Sequence, residues 1–226
     1  MLMLASGSLF AQHSDWNHIA QEEIVSRDSV TKKGYTLIFI NLAPTFDSAL
    51  QARMIKTFFE VYPKQAKLYN SNTLKKVMFV IDPKYVGVAA TSGSIVRYNP
   101  DWFVKNPGDI DVVTHEVMHI IQSYPGGAGP GWVTEGIADY VRYKMGVDNA
   151  GAGWSLTPFS AKHNYNNAYR ITARFMVWTE QHYDKKLVKK LDAAMRTKTY
   201  QSSLWKTLTG KTVDELWAEY SLNPAI

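Results

Sequence analysis

The chain has 226 residues, 46% of them hydrophobic, and 25 Lys and Arg against 20 Asp and Glu give a net charge of +5. This length fits one domain with a sizeable core, and the apolar fraction excludes a disordered chain. The absence of Cys excludes disulfides, thiol nucleophiles and Cys-ligated metals. The mildly basic balance, without a run of five like charges, argues against nucleic acid and is compatible with an acidic polymer as partner.

The first residues, 1–11, are small and apolar, and polar residues follow them. This pattern is typical of the apolar part of a secretory signal with a cleavage site after Ala11, and a frayed N-terminus is the alternative. Eleven residues are too few to span a bilayer, and no other stretch predicts a transmembrane helix. We therefore expect a secreted, extracellular or periplasmic protein with one domain at 12–226.

Strand patterns come first along the chain, separated by one long helical pattern. Short β-rich runs bounded by Gly, Pro or Asp-Pro predict strands, and apolar positions at helical spacing predict a helix. The strands are expected at 35–43, 75–81 and 94–98, and the helix at 46–69.

The run 94–98 lies between a glycine and a proline, which is typical of a last strand at the edge of a sheet. An open edge can bind an extended peptide by pairing with its backbone. Arg97 and Tyr98 would then line the cleft on alternate faces of the strand. We therefore predict both as substrate-binding residues.

Helical patterns occupy most of the chain after residue 108. They are expected at 109–123, 131–145, 165–182, 185–195 and 212–220. The last begins with a capping box, Thr212 to Glu215. Strands first and helices later predict an α+β fold with two lobes.

The first of these helices contains His115-Glu116-Val-Met-His119. Two His four residues apart project from one helix face, so both rings can reach one Zn²⁺. Glu116 lies beside them, where its carboxylate can accept a proton from a metal-activated water without binding the metal. The motif therefore predicts zinc-dependent hydrolysis with Glu116 as general base.

A third ligand is expected in the next helix, since catalytic zinc usually has three protein ligands and one open position. A Gly-rich loop turns the chain back after His119, and Glu135 follows one or two turns into the helix. Asp139 lies four residues later on the same face, where it can accept the free N–H of a ligand histidine. Asp139 as third ligand in place of Glu135 is the alternative.

Two further polar residues return to these helix faces. Arg142 lies seven residues after Glu135 and can pair with Asp139 or bind a substrate carboxylate. Gln122 returns to the face of His115 and can orient a ligand or a substrate amide.

The segments GDIDVVTHEVMHIIQSY, PGWVTEGIADYVR, AYRITARFMVW and GKTVDELWAEY resemble the basic secretory protein family of plants and bacteria, over about residues 20–222. HExxH followed by WxxEGxADY also resembles the gluzincin branch of zinc metallopeptidases. The resemblance implies His115, His119 and Glu135 as zinc ligands and Glu116 as catalytic base. It also implies secretion and a zincin-like fold, with an N-terminal mixed sheet lobe, an active-site helix and a helical C-terminal lobe.

A zinc peptidase also needs a hydrogen-bond donor for the oxyanion of its tetrahedral intermediate. In related enzymes a Tyr or His of the helical half supplies it. We predict Tyr169, because its segment is among those that resemble the family, and His163 and Tyr165 are the alternatives.

These features together predict a secreted zinc-dependent peptidase acting on peptides or proteins. The alternative is a non-catalytic secreted module that binds acidic cell-surface or cell-wall polymers, and hydrolysis of another bond is a third reading. Structural zinc sites usually have four protein ligands, often Cys. This chain has no Cys and three candidate ligands, and Glu116 is not needed as a ligand and is available as a base. These features favour the peptidase.

Overall fold

The structure is a computed structural model that describes residues 16–226. The predicted secretory signal at residues 1–11 lies outside this range. Within 16–226, no helix has both the length and the apolarity needed to cross a membrane.

One mixed sheet forms the N-terminal lobe. Its strands in the described part of the chain are β1 (Ser26–Lys32), β2 (Tyr35–Asn41), β3 (Lys76–Ile81), β4 (Ala89–Ser92) and β5 (Ile95–Tyr98). They lie in the order β1-β2-β3-β5-β4. The three central strands are parallel, and each outer strand runs antiparallel to its neighbour. The two edges of the sheet are therefore β1 and β4.

Helices provide most of the remaining structure. They are α1 (Ser48–Leu68), α2 (Pro100–Lys105), α3 (Val112–Gln122), α4 (Gly131–Met145), α5 (Tyr169–His182), α6 (Leu187–Arg196), α7 (Ser203–Thr209) and α8 (Val213–Leu222). The single helix predicted at 165–182 is a short 3₁₀ turn followed by α5, because the backbone turns left-handed at Ala168, with φ 63°.

Helix α1 covers one face of the sheet. Phe58 packs edge-on against Phe79 of β3, with ring centroids 5.6 Å apart, and both side chains are fully buried. Apolar residues recur every three or four positions in α1, so a single stripe of the helix faces the sheet. The opposite face of the sheet presents Ile40, Val80 and Ile95, which pack against the described N-terminal segment.

Helix α3 is anchored at both ends. The fully buried carboxylate of Asp111, which precedes the helix, accepts the backbone N–H groups of residues 147–148 at 2.8 and 2.6 Å. Arg196 of α6 donates to the carbonyl oxygens of Ile121 and Gln122 at the other end. Since carbonyl oxygens at a helix C-terminus lack partners within the helix, these bonds fix its last turn.

Helices α4 and α5 approach each other closely at Gly136. A β-carbon at this position would overlap the side chain of Thr172. Only glycine allows this approach without displacing one of the two helices. The contact therefore fixes the height and rotation of α4, and with them the position of the adjacent Glu135.

The prediction of an edge strand at 94–98 is wrong. Strand β5 lies between β3 and β4, and the open edge belongs to β4. The sequence of β4, Ala-Ala-Thr-Ser, contains no alternation of large apolar and polar residues. It therefore gives no strand signal, although it is the strand that closes this side of the sheet.

Candidate metal centre

Three side chains from α3 and α4 converge on one point. The Nε2 atoms of His115 and His119 are 3.2 Å apart, and Oε2 of Glu135 lies 3.3 Å from the first and 3.5 Å from the second. Ligands at the corners of a tetrahedron around zinc, with bonds of about 2.0–2.1 Å, lie about 3.3–3.4 Å apart. The three atoms therefore have the spacing that a tetrahedral metal site requires, and these residues could hold a metal ion.

The far nitrogen of each ring has its own acceptor. Nδ1 of His115 lies 2.7 Å from Oδ1 of Asp139, and Nδ1 of His119 lies 2.7 Å from Oε1 of Gln122. Gln122 is held in turn, because its amide donates to the carbonyl oxygen of Thr134 at 2.9 Å. Both acceptors favour a proton on Nδ1, which leaves each Nε2 free to bind a metal. Since Asp139 contacts the outer nitrogen, its geometry favours Glu135 as the third ligand.

The metal-free site holds charges of both signs. Burial alone would lower the pKa of His115, but the hydrogen bonds to Asp139 and Glu135 outweigh it and raise that pKa to about 10. Burial likewise opposes the charge of Glu135, yet the two histidines hold its pKa well below the usual range. His115 is therefore protonated at neutral pH when no metal is bound, and a metal ion would replace that proton.

Glu116 lies in the same cleft, but its carboxylate contacts Thr91 and not the three converging side chains. Its buried carboxylate accepts a hydrogen bond from the hydroxyl of Thr91 on β4, at 2.7 Å. It is not among the residues whose atoms converge on the metal position. An acid that lines the cleft beside the metal position without contacting it suits the role of a base.

Tyr169 lines the cleft beside the His115 ring. Its ring lies nearly parallel to that of His115, with centroids 6.2 Å apart, and 54% of the residue is exposed. The negative charge of Glu135, followed by partial burial, raises the pKa of Tyr169, so its hydroxyl stays protonated and can donate. Ala168 and Tyr169 both have left-handed backbones, with φ 63° and 49°. Such strain on residues other than glycine is often found at functional sites.

The alternatives to Tyr169 lie elsewhere. His163 accepts the backbone N–H of Ser160 within its own loop, and the Tyr165 hydroxyl donates to Asp214 of α8. Neither residue lines the cleft that contains the metal position.

The metal position lies in a cleft of about 1050 Å³. Residues of α3, α4 and the edge strand β4 line it, together with Tyr169 and Arg170. Its lining also includes Trp102, Asp109 and Trp154.

Arg97 and Tyr98 do not line this cleft. Tyr98 is fully buried against Phe79 and Phe103, and Arg97 pairs with Asp82 at 2.6 Å on the other face of the sheet. The prediction that the two residues bind substrate along an edge strand is therefore wrong, because their strand is internal.

Arg142 lines the cleft, but its partner differs from the predicted one. It pairs with Asp109, not Asp139, stacks on Trp154 at 4.5 Å and donates through Nε to Asn149. Asp139 is already occupied by His115, which explains the difference. Binding of a substrate carboxylate by Arg142 stays a prediction.

Thr91 and Asp109 are among the cleft residues that the sequence does not predict. Thr91 carries no signal because β4 has no recognisable strand pattern. Asp109 lies in the GDID segment just before the His-Glu-x-x-His helix. Acidic residues are common at the start of helices, so this position does not indicate a site residue. Only the fold shows that Asp109 lies under Arg142.

Solved zinc metallopeptidases share the fold of this chain. A mutant two-domain M1 zinc metallopeptidase bound to L-tryptophan is 13% identical, with 89% of this chain and 52% of that one covered and a TM-score of 0.54. A mutant M1 enzyme from Deinococcus radiodurans is 10% identical, with 89% and 53% covered and a TM-score of 0.53. The same enzyme bound to a Tyr-Ser-Ala substrate is 12% identical, with the same coverage and TM-score. The chain spans about half the length of these proteins.

The family is given by the sequence. The family model BSP, described as peptidase of plants and bacteria, matches residues 23–220. The chain belongs to this family of peptidases, which confirms the resemblance and, with the solved structures, the zincin-like α+β fold. No curated protein matches the chain.

Proposed function

We propose that this protein is a zinc-dependent peptidase in which His115, His119 and Glu135 hold the metal and Glu116 is the general base. The observation that carries the proposal is the spacing of the three ligand atoms, 3.2, 3.3 and 3.5 Å, with both Nδ1 atoms already engaged. Two neutral imidazoles and one carboxylate are a common donor set for catalytic zinc, which keeps one position open. Membership of a peptidase family supports the peptide bond as the target.

Zinc bound to these residues would act as a Lewis acid that polarises the scissile carbonyl and activates water at neutral pH. Glu116 would accept the proton of the attacking water on a carboxylate oxygen and pass it to the nitrogen of the leaving amine. Asp139 and Gln122 would keep the two imidazoles in the tautomer that binds metal. Tyr169 would donate its hydroxyl proton in a hydrogen bond to the oxyanion of the tetrahedral intermediate.

The edge strand β4 is the candidate docking surface for the substrate backbone. Its residues Ala89, Ala90 and Thr91 line the cleft, and its outer side has no neighbouring strand among the described residues. An extended peptide that pairs with β4 would lie over α3, with a carbonyl group near the metal position. We expect peptides or proteins as substrates, and one solved structure of similar fold holds a Tyr-Ser-Ala substrate.

The non-catalytic alternative has less support. A module that only binds acidic polymers needs neither an open ligand position nor a buried carboxylate beside it. Export from the cell and association with an acidic polymer remain our proposals, based on residues 1–11 and on the net charge of +5. Cell fractionation and salt-dependent binding to a polyanion would test them separately.

The proposed function is tested on purified protein loaded with zinc. We expect cleavage of a mixed peptide library, loss of cleavage with a chelator and recovery with added zinc. A Glu116→Gln variant should keep its zinc but lose cleavage by about 10²–10⁴-fold, the usual contribution of a general base. Glu60→Gln, on the surface of α1, serves as the matched control. Full turnover by Glu116→Gln, or cleavage that is insensitive to metal removal, would contradict the proposal.

A further inference from the structure

The carboxylate of Glu116 is held by one side chain of the edge strand. Oγ1 of Thr91 lies 2.7 Å from Oε2 of Glu116 and 3.0 Å from the backbone carbonyl oxygen of the same residue. A hydroxyl has a single proton, and a charged oxygen is the stronger acceptor, so we assign that proton to the carboxylate. Within residues 16–226, no other side chain or backbone group donates to this carboxylate.

This contact fixes the direction of the carboxylate. Because Oγ1 of Thr91 reaches both the backbone and the end of the Glu116 side chain, it limits the rotamers that the side chain can adopt. Oε2 is occupied by the hydroxyl, whereas Oε1 has no partner within the described range, and Glu116 lines the cleft. One carboxylate oxygen is thus restrained and the other is open to accept a proton.

The backbone of Thr91 faces the open edge of the sheet. The carbonyl oxygen of Val88 accepts the N–H of Asn99 at 3.0 Å, so Val88 and every second residue after it face β5. The residues between them, Ala89 and Thr91, turn their backbone groups outward. The Ala89 carbonyl accepts the Tyr85 hydroxyl there, at 3.2 Å. A peptide that pairs with β4 would therefore bond to the backbone of Thr91.

We propose that Thr91 is a positioning residue that aims the Glu116 carboxylate and connects it to the strand on which the substrate docks. The proposal rests on the proposed peptidase function. The side chain of Thr91 holds the Glu116 carboxylate while its backbone binds the substrate. A single residue therefore sets the distance between the base and the substrate. A strand residue without a hydroxyl would leave the docking surface intact and the base free to rotate.

The test compares Thr91→Val with Thr91→Ser in zinc-loaded protein. Valine keeps the shape and strand preference of threonine but removes the donor, whereas serine keeps the donor. We expect Thr91→Val to lower kcat about 10- to 100-fold, a part of the usual contribution of a general base. KM should change less than about twofold, since the backbone that docks substrate is retained. Thr91→Ser should restore most of kcat, and both variants should bind one zinc per chain.

Thr36→Val is the matched control, because Thr36 lies in β2, outside the residues that line the cleft, and its hydroxyl hydrogen-bonds to Thr31 on the exposed surface. Unchanged kcat in Thr91→Val, or equal losses in the valine and serine variants, would overturn the proposal. A crystal structure of each variant gives a readout that does not need activity. We expect the Glu116 carboxylate to leave its position in Thr91→Val and to keep it in Thr91→Ser. If the unaltered enzyme cleaves no peptide, the proposed function fails, while these structures still decide the role of Thr91.

Discussion

The carboxylate of Asp139 lies 2.7 Å from Nδ1 of His115, on the opposite side of the ring from Glu135. Four residues separate the two acids along α4, so one turn of helix places one acid at the metal position and the other behind it. The outer acid sets the tautomer and makes the imidazole more basic. The metal position therefore depends on a residue that does not contact the metal.

Replacing Asp139 should weaken metal binding without removing it. Asp139→Asn loses the negative charge behind His115, and the loss of such a partner typically lowers metal affinity about 10- to 100-fold. Competition with a chromophoric chelator measures the affinity. Asp101→Asn, at the exposed start of α2, is the control and should bind zinc as the unaltered protein does. Equal affinities for all three proteins would show that Asp139 has no such role.

Zinc affinity should rise with pH. The pKa of His115 in the metal-free protein is raised from 6.5 to about 10, and zinc binds only the neutral ring. Between these two values, each metal ion bound releases about one proton, so the apparent affinity should increase about tenfold per pH unit. Proton release on zinc binding, measured by calorimetry in two buffers, would check this. An affinity independent of pH over this range would contradict it.

The same shift predicts how the metal-free fold responds to pH. A pKa that is raised on folding stabilises the folded state fully below the unfolded value of 6.5. This stabilisation is lost as the pH rises through about 10. Chemical denaturation of metal-free protein should therefore show lower stability near pH 10 than near pH 6.5. A His115→Gln variant should lack this part of the pH dependence.

Tyr169→Phe should lower turnover and leave metal binding unchanged. Phenylalanine keeps the ring stacked on His115 and removes the hydroxyl, and removal of one oxyanion donor typically costs about 10²–10³ in kcat. The exposure of Tyr169, 54%, means that stability should change little. Tyr143→Phe is the control, since Tyr143 is an exposed residue of α4. A Tyr169→Phe enzyme with unaltered kcat would exclude the hydroxyl from the reaction.

The close approach of α4 and α5 should make Gly136 sensitive to a single methyl group. Gly136→Ala would overlap Thr172 and should lower the free energy of unfolding by about 2–3 kcal/mol. Zinc affinity should also fall, because the adjacent Glu135 moves with α4. Gly131→Ala lies in the same helix with open space around its β-carbon and should be neutral. Urea denaturation measures the free energy of unfolding of both variants. A loss in Gly136→Ala alone would show that packing against Thr172, and not helix propensity, determines the effect.

Sequence patterns predicted the elements whose apolar residues recur with one clear period. Helix α4 begins and ends at the predicted residues, and β2, β3, α1 and α3 lie within one to three residues of theirs. Strand β1 is exposed along most of its length, so it lacks the alternation that marks a half-buried strand. Helices α2 and α7, of six and seven residues, are too short for a periodic pattern. The order of the strands depends on pairing between residues far apart in the sequence. Local patterns therefore predict β5 as the edge strand, whereas the edge is β4.

The residues of the candidate site likewise differ in how far the sequence predicts them. His115, Glu116 and His119 are fixed relative to one another by a single helix, so local spacing was sufficient to predict that they lie together. The prediction of Glu135 depends only on a turn that brings the second helix back against the first. Thr91 comes from a strand 24 residues before His115, and its contact with Glu116 depends on where that strand ends in the sheet. No local pattern encodes such a contact.

The central claim is that one zinc ion is bound by His115, His119 and Glu135 with a fourth position open to solvent or substrate. A crystal structure of the zinc-loaded protein, with anomalous data collected on both sides of the zinc edge, tests it most directly. The account predicts one strong anomalous peak about 2.0–2.2 Å from both Nε2 atoms and from a carboxylate oxygen of Glu135, with no other protein ligand. A peak elsewhere, or a fourth protein side chain bound to the zinc, would contradict it.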